Sequence, residues 1–378
     1  MDLKEIREEI DQIDAGIVEL LKKRFDCSLK VAEYKINNDL PVLNSEREQQ
    51  IIDKVVGLGG QHGNSIGDVY REIMSVSRQR QHNLMQKESD LGKAILNAPS
   101  TISGEGVIAC QGTEGAFSHL AAKNLFKNGQ LHFYESFESV FDAVNSGEAD
   151  FGVVPVENSN AGSVHEVYDL ILKYRHFIVG AAVLKVNENL LGVKGSKLED
   201  IKTVYSHSQA LSQSEAFIKE HGFTPVQYAN TALAAKFVAD KGDKTCAAIG
   251  SVQAAESYGL TVLAKDIQTV KANCTRFVVI SKRLIIPENS NRASVVFMLP
   301  HVTGSLYKIL SRFASHGLNL TKIESHAARN GKFEYEFYLD FSGKVQENET
   351  VKLLCELAEE LPNFTFLGNY SETDINNC

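Results

Sequence analysis

Apolar residues at Leu3, Ile6, Ile10, Ile13, Ile17 and Leu20 recur at alternating steps of three and four, and between residues 2 and 37 no proline and only Gly16 intervenes. The spacing predicts one long amphipathic helix. After Pro41, Ser45 to Glu48 opens a second helix running to about 56, glycines at 57, 59, 60 and 63 predict a loop, and a third helix spans about 65–91. Residues 92–105, with Gly, Ser and Pro interspersed, read as a linker. From Gly106 the period changes. Short apolar runs at 107–110, 150–156, 177–186, 202–205, 246–249 and 275–281 predict buried strands, with helices at 116–127, 137–145, 162–173, 209–220 and 231–240, an alternation that predicts an α/β domain with ligands at the strand ends. Beyond about 293 the order is strand 293–299, helix 304–315, strand 318–326, a turn at Asn330 and Gly331, strand 332–341, helix 347–360 and strand 363–369. This β-α-β-β-α-β order predicts a ferredoxin-like unit.

The 378 residues suit two or three domains, and 43% hydrophobic with 23% charged residues is an ordinary globular composition. No apolar run reaches the roughly 20 residues of a membrane span, and the N-terminus is charged, so a cytoplasmic protein is expected. Thirty-nine Lys and Arg against 48 Asp and Glu give −9, which argues against nucleic acid or an anionic membrane as partner and leaves a small anionic substrate open. Six scattered cysteines without short Cys/His spacing predict neither a disulfide framework nor a zinc site, and they are expected to be reduced.

Continuing the seam past Leu20 lands on Arg24, where an apolar side chain is due, and Lys35 follows three turns on, roughly 16 Å along the same face. Two cations looking inward suit an anionic ligand; alternatively both extend to solvent or pair with acids. Ser45 with Glu48 fits a capping box, and Ser77 with Gln81, four apart, fits a solvated polar face equally well. In order, Arg7, Arg24, Lys35, Pro41-Val42, Glu46-Arg47-Glu48 and Tyr70 to Ser77 with Gln81 resemble the all-helical chorismate mutases over residues 1–91. The resemblance implies that Arg7, Arg24, Lys35, Asn44, Arg47, Glu48, Ser77 and Gln81 bind chorismate, with Lys35, Glu48 and Gln81 catalytic. It also implies a homodimer or higher homo-oligomer in which Arg7 enters the partner's site. Arg7 lies seventeen residues from Arg24, roughly 25 Å, so one helix does not bring both to one ligand. The rearrangement to prephenate needs only a held conformer and donors to the breaking ether, which arginines, Lys35 and Gln81 supply, while Glu48 accepts from the ring hydroxyl. Asn44 stands where the family commonly has Asp.

Four segments place polar residues at strand ends: 112–119, 154–162, 205–209 and 273–277. Singly, each fits turn glycines and helix caps. Together, Val154-Pro155 with Glu157-Asn158, and Thr275-Arg276-Phe277, resemble prephenate dehydratase over 106–283, implying a two-lobed clamshell like a periplasmic binding protein. The resemblance makes Thr275 the residue for hydroxyl departure and assigns Asn158, Ser159, Ser206, Gln209, Gln213, Thr275 and Arg276 to prephenate, with Arg276 holding either structure or a carboxylate. Glu157 orients them. It implies no metal and no organic cofactor. Ser208 stands at the family's usual Pro.

Residues 293–371 resemble the ACT regulatory domain, with phenylalanine as effector. Its signatures read here Gly304-Ser305-Leu306 and Glu324-Ser325-His326-Ala327 in place of Gly-Ala-Leu and Glu-Ser-Arg-Pro. The implied fold class is therefore multidomain: an all-α mutase, an α/β dehydratase and an α+β ferredoxin-like domain. The implied function is a bifunctional enzyme of phenylalanine biosynthesis acting on chorismate and prephenate. Two rivals stay open: an arogenate-preferring dehydratase, and a clamshell that senses an aromatic acid without turnover. Thr275 together with Glu157 and Asn158 favours the enzyme.

Overall fold

The structure, a computed structural model, describes residues 2–38, 40–84, 89–299, 301–327, 335–375 and 378. The expected turn at Asn330 and Gly331, the first residues of the strand 332–341 and part of the helix 65–91 lie outside them. The chain forms two compact units, one of residues 1–96, 298–300 and 346–364, the other of 97–297, 301–345 and 365–378.

In the first unit α1 (Leu3–Asn37) is the long helix the seam predicts. It opens with a capping box in which the Asp2 side chain accepts from Lys4 N at 2.7 Å and Glu5 accepts from Asp2 N at 2.9 Å. The face α1 turns to its own chain is not the seam. Leu3, Ile6, Ile10, Ile13, Ile17 and Leu20 are 39–67% exposed, whereas Ser28 and Ala32 are buried. Helix α2 (Ser45–Leu58) is capped by Asn44, whose Oδ1 accepts from Arg47 N at 2.9 Å, so the cap falls one residue before the expected Ser45. The expected glycine loop is instead helical to Leu58, followed by a 3-10 turn at Gly60–His62 and α3 (Gly63–Leu84). Gly63 permits this tight reversal, since a Cβ there would lie 2.3 Å from the Val56 carbonyl. A further helix, α4 (Asp90–Leu96), occupies the start of the expected linker.

The second unit contains two lobes. Strands β1 (Val107–Gln111), β2 (Gln130–Tyr134), β3 (Phe151–Asn158), β4 (Gly162–Ser163) and β5 (Phe177–Lys185) build the first, with α5 (Phe117–Leu125), α6 (Phe137–Ser146) and α7 (His165–Tyr174) between them. The chain then crosses at 186–188 to the second lobe: β6 (Asn189–Gly192), β7 (Thr203–Ser206), α8 (Ser208–Gln213), α9 (Glu215–Glu220), β8 (Thr224–Gln227), α10 (Thr231–Lys241), β9 (Cys246–Gly250), α11 (Val252–Tyr258) and β10 (Thr261–Ala264). It returns at 265–273 into β11 (Cys274–Ser281), which lies between β5 and β3. Two crossings between two sheets make the expected clamshell. Of the strands the pattern missed, β2, β8 and β10 are edge strands whose exposed and half-exposed residues give no continuous apolar run, whereas β6 is interior and buried but only four residues long.

The C-terminal section runs β12 (Arg292–Met298), α12 (Ser305–Ser315), β13 (Leu320–Ala327), β14 (Tyr335–Ser342), α13 (Asn348–Glu360), β15 (Thr365–Tyr370) and β16 (Glu372–Asp374). Its sheet has the order β13-β14-β12-β15, that of a ferredoxin-like unit. Helix α13 groups with the first unit, where Ser89 donates to Cys355 Sγ and Gln346 donates to the Ile95 carbonyl. The four-stranded sheet backs onto the first lobe, with Val296, Tyr338 and Leu367 in one core with Val154, Val278 and Ile280. Gly368 is needed there, since a Cβ would meet the Ile178 carbonyl at 2.0 Å. The tail strand β16 joins the first-lobe sheet beside β5. One expectation is overturned: Cys274 and Cys378 form a disulfide, their Cα atoms 6.1 Å apart, whereas Cys27, Cys110, Cys246 and Cys355 are free. Their separation of 104 residues left no local spacing to read. Among the described residues no helix is long and apolar enough to cross a membrane.

Candidate active sites

In the helical unit, residues from three helices converge. Arg24 Nη1 donates to Ser77 Oγ at 2.7 Å, and its guanidinium lies 6.0 Å from the Tyr70 ring centre. Ser77 and Gln81 are 5% and 8% exposed, so the solvated-face alternative fails. Lys35 Nζ donates to the Val42 carbonyl and, at 3.4 Å, to Gln81 Oε1. Burial pushes the Lys35 ammonium below its ordinary pKa, partly offset by the Glu48 carboxylate. Arg24, Ser28, Ala32 and Lys35 thus form the inward row of α1, at the helical spacing of four and three. Asn44 and Arg47 sit at the start of α2, where Asn44 caps and Arg47 reaches Gln50 at 3.3 Å. Arg7 stands on the exposed half of α1, away from this cluster.

The sequence reading missed Arg78. Its Nη1 donates to both oxygens of Glu48 at 2.7 and 2.6 Å, and its Nε lies 3.4 Å from Glu360 Oε1. The side chains of Arg78 and Glu48 are 17% and 27% exposed, so this ion pair is largely withdrawn from water. A second cation directly after Ser77 was the available signal. Glu360, some 280 residues further on, gave none.

In the α/β unit the end of a first-lobe strand and the start of the return strand meet at Asn158 and Thr275, which are register partners between β3 and β11. Asn158 Nδ2 donates to Thr275 Oγ1 at 2.9 Å and to Asn273 Oδ1 at 2.8 Å, while its Oδ1 accepts from the amides of Asn160 and Ala161. Asn273 Nδ2 in turn donates to Gln213 Oε1 at 3.0 Å, bringing the end of α8 from the second lobe to the same network. Ser159 closes it, accepting from Cys274 N at 3.0 Å. A cleft of about 830 Å³ adjoins the cluster and includes Ser159, Asn160, Gln213, Lys219 and Thr269 in its lining.

Other expected residues lie elsewhere. Ser206 is fully buried and its hydroxyl donates to the Ile249 carbonyl at 2.7 Å, so it builds the second lobe and does not line the cleft. Gln209 is exposed on the first turn of α8. Arg276 is 7% exposed, and its donors go to Glu372 at 2.5 Å, Asp340 at 2.7 Å and Tyr370 Oη at 2.8 Å, contacts that favour the structural one of its two expected roles. Alternation along β11 puts Arg276 on the opposite face from Thr275. Its register partner Glu157 pairs with Lys322 at 3.1 Å. Gly304, Ser305 and Leu306 open α12, and Glu324 and Ser325 lie on β13.

Residues 6–82 match the family model for chorismate mutase type II, and residues 108–284 match that for prephenate dehydratase. The bifunctional chorismate mutase/prephenate dehydratase of Aquifex aeolicus is 33% identical over 379 residues, covering 98% of each chain. This chain belongs to that bifunctional family. It is an enzyme of phenylalanine biosynthesis with a mutase module and a dehydratase module. Arogenate dehydratase/prephenate dehydratase 1 of Arabidopsis thaliana is 37% identical over 321 residues, 79% of this chain and 80% of that protein. The structure of prephenate dehydratase from Arthrobacter aurescens in complex with L-Phe is similar with a TM-score of 0.64 and 29% identity, over 70% of this chain and 89% of that one. In this bifunctional frame, the helical cluster and the Asn158–Thr275 cluster fall in the mutase and dehydratase matches respectively.

Proposed function

We propose that the helical module rearranges chorismate to prephenate and that the α/β module eliminates water and carbon dioxide from prephenate, with net uptake of one proton, to leave phenylpyruvate, with working domains at 1–91, 106–283 and 293–371. The observation that carries the second step is the Asn158–Thr275 contact. Because Thr275 Oγ accepts from Asn158 Nδ2, its own proton is free to be donated to the departing ring hydroxyl. Asn273, Ser159 and Gln213 support that geometry. For the first step, Arg24 and Arg47 bind the carboxylates, Lys35 and Gln81 donate to the ether oxygen, Ser77 holds Arg24, and Glu48 accepts from the ring hydroxyl. No cofactor takes part in either step.

A second copy completes the mutase site. The exposed seam from Leu3 to Leu20 spans about 26 Å of α1, and Arg7 beside it lies too far from Arg24 to share a ligand within one chain. Association along the seam buries it and delivers Arg7. The C-terminal section acts as an ACT domain for which phenylalanine is the effector. Its strand order and the L-Phe in the Arthrobacter aurescens complex support this reading. The cytoplasm is the proposed compartment.

The test supplies chorismate, prephenate and arogenate separately to the purified chain and follows chorismate loss, phenylpyruvate and phenylalanine. Phenylpyruvate from both chorismate and prephenate is expected. Turnover of arogenate alone would transfer the second step to that substrate, a reading favoured by the Arabidopsis thaliana relative. Turnover of neither would leave a binding clamshell. Ile13→Glu is expected to yield monomers by sedimentation and to lose mutase activity while keeping the dehydratase.

A further inference from the structure

Strand β13 alternates half-buried and exposed residues, and its inward row is Lys322, Glu324 and His326, while Ile323 faces out at 46% exposed. A covered strand face that carries Lys, Glu and His in succession departs from the usual pattern and needs polar partners on that side. Opposite that row stands His165, the first residue of α7, directly after the short strand β4 that pairs with Glu157 and Asn158.

We propose that His165, Glu324 and His326 form a site for a divalent transition metal of the zinc class. His165 Nδ1 lies 3.2 Å from His326 Nε2 and 3.9 Å from Glu324 Oε1, and His326 Nε2 lies 3.3 Å from Glu324 Oε1. A point equidistant from these three atoms is about 2 Å from each, the length of a zinc–nitrogen or zinc–oxygen bond. Two imidazoles and one carboxylate suit zinc, whereas calcium and magnesium prefer oxygen donors throughout.

Two further features aim the donors. Glu324 uses Oε2 to accept from Ser163 and to pair with Lys322 at 3.2 Å, which leaves Oε1 for the histidines. The His326 ring is packed by Tyr338, with centroids 4.8 Å apart, and Tyr168, at 6.2 Å. Carboxylates and rings held this way are what orient first ligands around an ion. A simple hydrogen bond between the two histidines describes the geometry less well. His165 Nδ1 lies almost equally near both nitrogens of His326, at 3.0 and 3.2 Å, whereas a hydrogen bond selects one acceptor in line. The side chain of His165 is 61% exposed, which gives an ion its entry path and leaves room for water as fourth ligand. Lys322, on the far oxygen of Glu324, pairs also with Glu157, so one cation serves two carboxylates and the surroundings stay formally anionic, which suits a cation. An ion here would tie β13 to the segment that leads back into Asn158.

Glu324 and His326 also stand in the effector signature, whereas His165 lies outside it, so titration without phenylalanine and the His165 variant separate metal binding from effector binding. The experiment titrates the tag-free, chelator-treated full chain with Co²⁺ and Zn²⁺, without phenylalanine, following cobalt visible absorption and zinc calorimetry. One equivalent is expected, with tetrahedral d–d bands and no intense thiolate charge-transfer band. His165→Ala and Glu324→Gln should each weaken binding at least tenfold. His165 is 61% exposed at its side chain, so His165→Ala is expected to preserve the fold of the α/β unit, checked by an unchanged melting temperature of the metal-free chain. Thiolate bands, or equal zinc affinity in wild type and His165→Ala, would overturn the site, as would binding of less than one equivalent at 100-fold excess zinc.

Discussion

Asn158 and Thr275 face each other across β3 and β11, and Asn158 Nδ2 donates to Thr275 Oγ1 at 2.9 Å. Removing the hydroxyl without changing the shape, as in Thr275→Val, is expected to lower dehydratase kcat by about 100- to 10,000-fold, the range for losing a proton donor. Thr275→Ser should retain most of the activity. Chorismate loss should be unaltered in both, because the mutase residues lie in the other unit; phenylpyruvate formed from added prephenate is the readout.

One residue further along the same strands the chemistry reverses. Arg276 and Glu157 are also register partners, yet Arg276 is committed to Asp340, Glu372 and Tyr370. Arg276→Met is therefore expected to destabilise the α/β unit by about 3–5 kcal/mol, the cost of leaving buried carboxylates without their cation. Calorimetry measures the loss. The KM for prephenate, taken at a temperature where the variant is folded, should stay within about twofold; a large rise in KM at undiminished stability would return Arg276 to the substrate.

These neighbouring residues show what was legible in the chain and what was not. Thr275 and Arg276 are equally conspicuous in sequence, and only the strand's alternation, which depends on where β11 begins, sends Thr275 to Asn158 and Arg276 to Asp340 and Glu372. The periodicity predicts helix α1, but it does not say what covers the seam, because periodicity reports a stripe and not its partner. Ser77 and Gln81 were ambiguous for the same reason. Glu360, Cys378, and His165 with His326 act across separations too long for spacing to reveal.

With Glu48 in its proposed role, the Arg78–Glu48 pair gives Arg78 the part of a positioning residue for the mutase. Arg78→Met should lower mutase kcat/KM by about tenfold, because Glu48 loses the nitrogen that bridges both its oxygens. Arg24→Ala should lower it by more than about 100-fold, in keeping with loss of a charge-stabilising donor. Neither should touch the dehydratase. A rise in mutase activity in Arg78→Met would instead mean that Arg78 competes with the substrate hydroxyl for Glu48. Following chorismate absorbance decides between them.

The Cys274–Cys378 bond closes a loop of 104 residues beside Thr275. Cross-links over loops of this length stabilise by about 2–4 kcal/mol, equivalent to a melting shift of about 5 °C or more for a unit of this size. Dithiothreitol should lower the melting temperature of wild type and leave Cys378→Ser unchanged. Peptide mapping without reductant should recover the two cysteines in one linked fragment.

Glu188 lies at the first crossing between the lobes, 2% exposed, its amide bonded to Gln268 Oε1 at 3.0 Å and its own Oε2 without a hydrogen-bond partner among the described residues. Burial pushes its carboxyl up to about 7 from the ordinary 4.5. Between those two values the folded chain holds a proton that the unfolded chain has released. Stability from this group is therefore full below about 4.5, falls as pH rises, and is lost above about 7. The shift corresponds to about 3 kcal/mol. Glu188→Gln, which stays neutral, should match wild type near pH 5 and exceed its stability by up to about 3 kcal/mol at pH 8. Because other groups titrate over the same range, the decisive quantity is the difference between the two proteins at each pH, measured by urea unfolding of the α/β unit. A difference that does not change from pH 5 to pH 8 would mean that Glu188 is already ionised in the folded protein, its charge balanced by donors at the crossing.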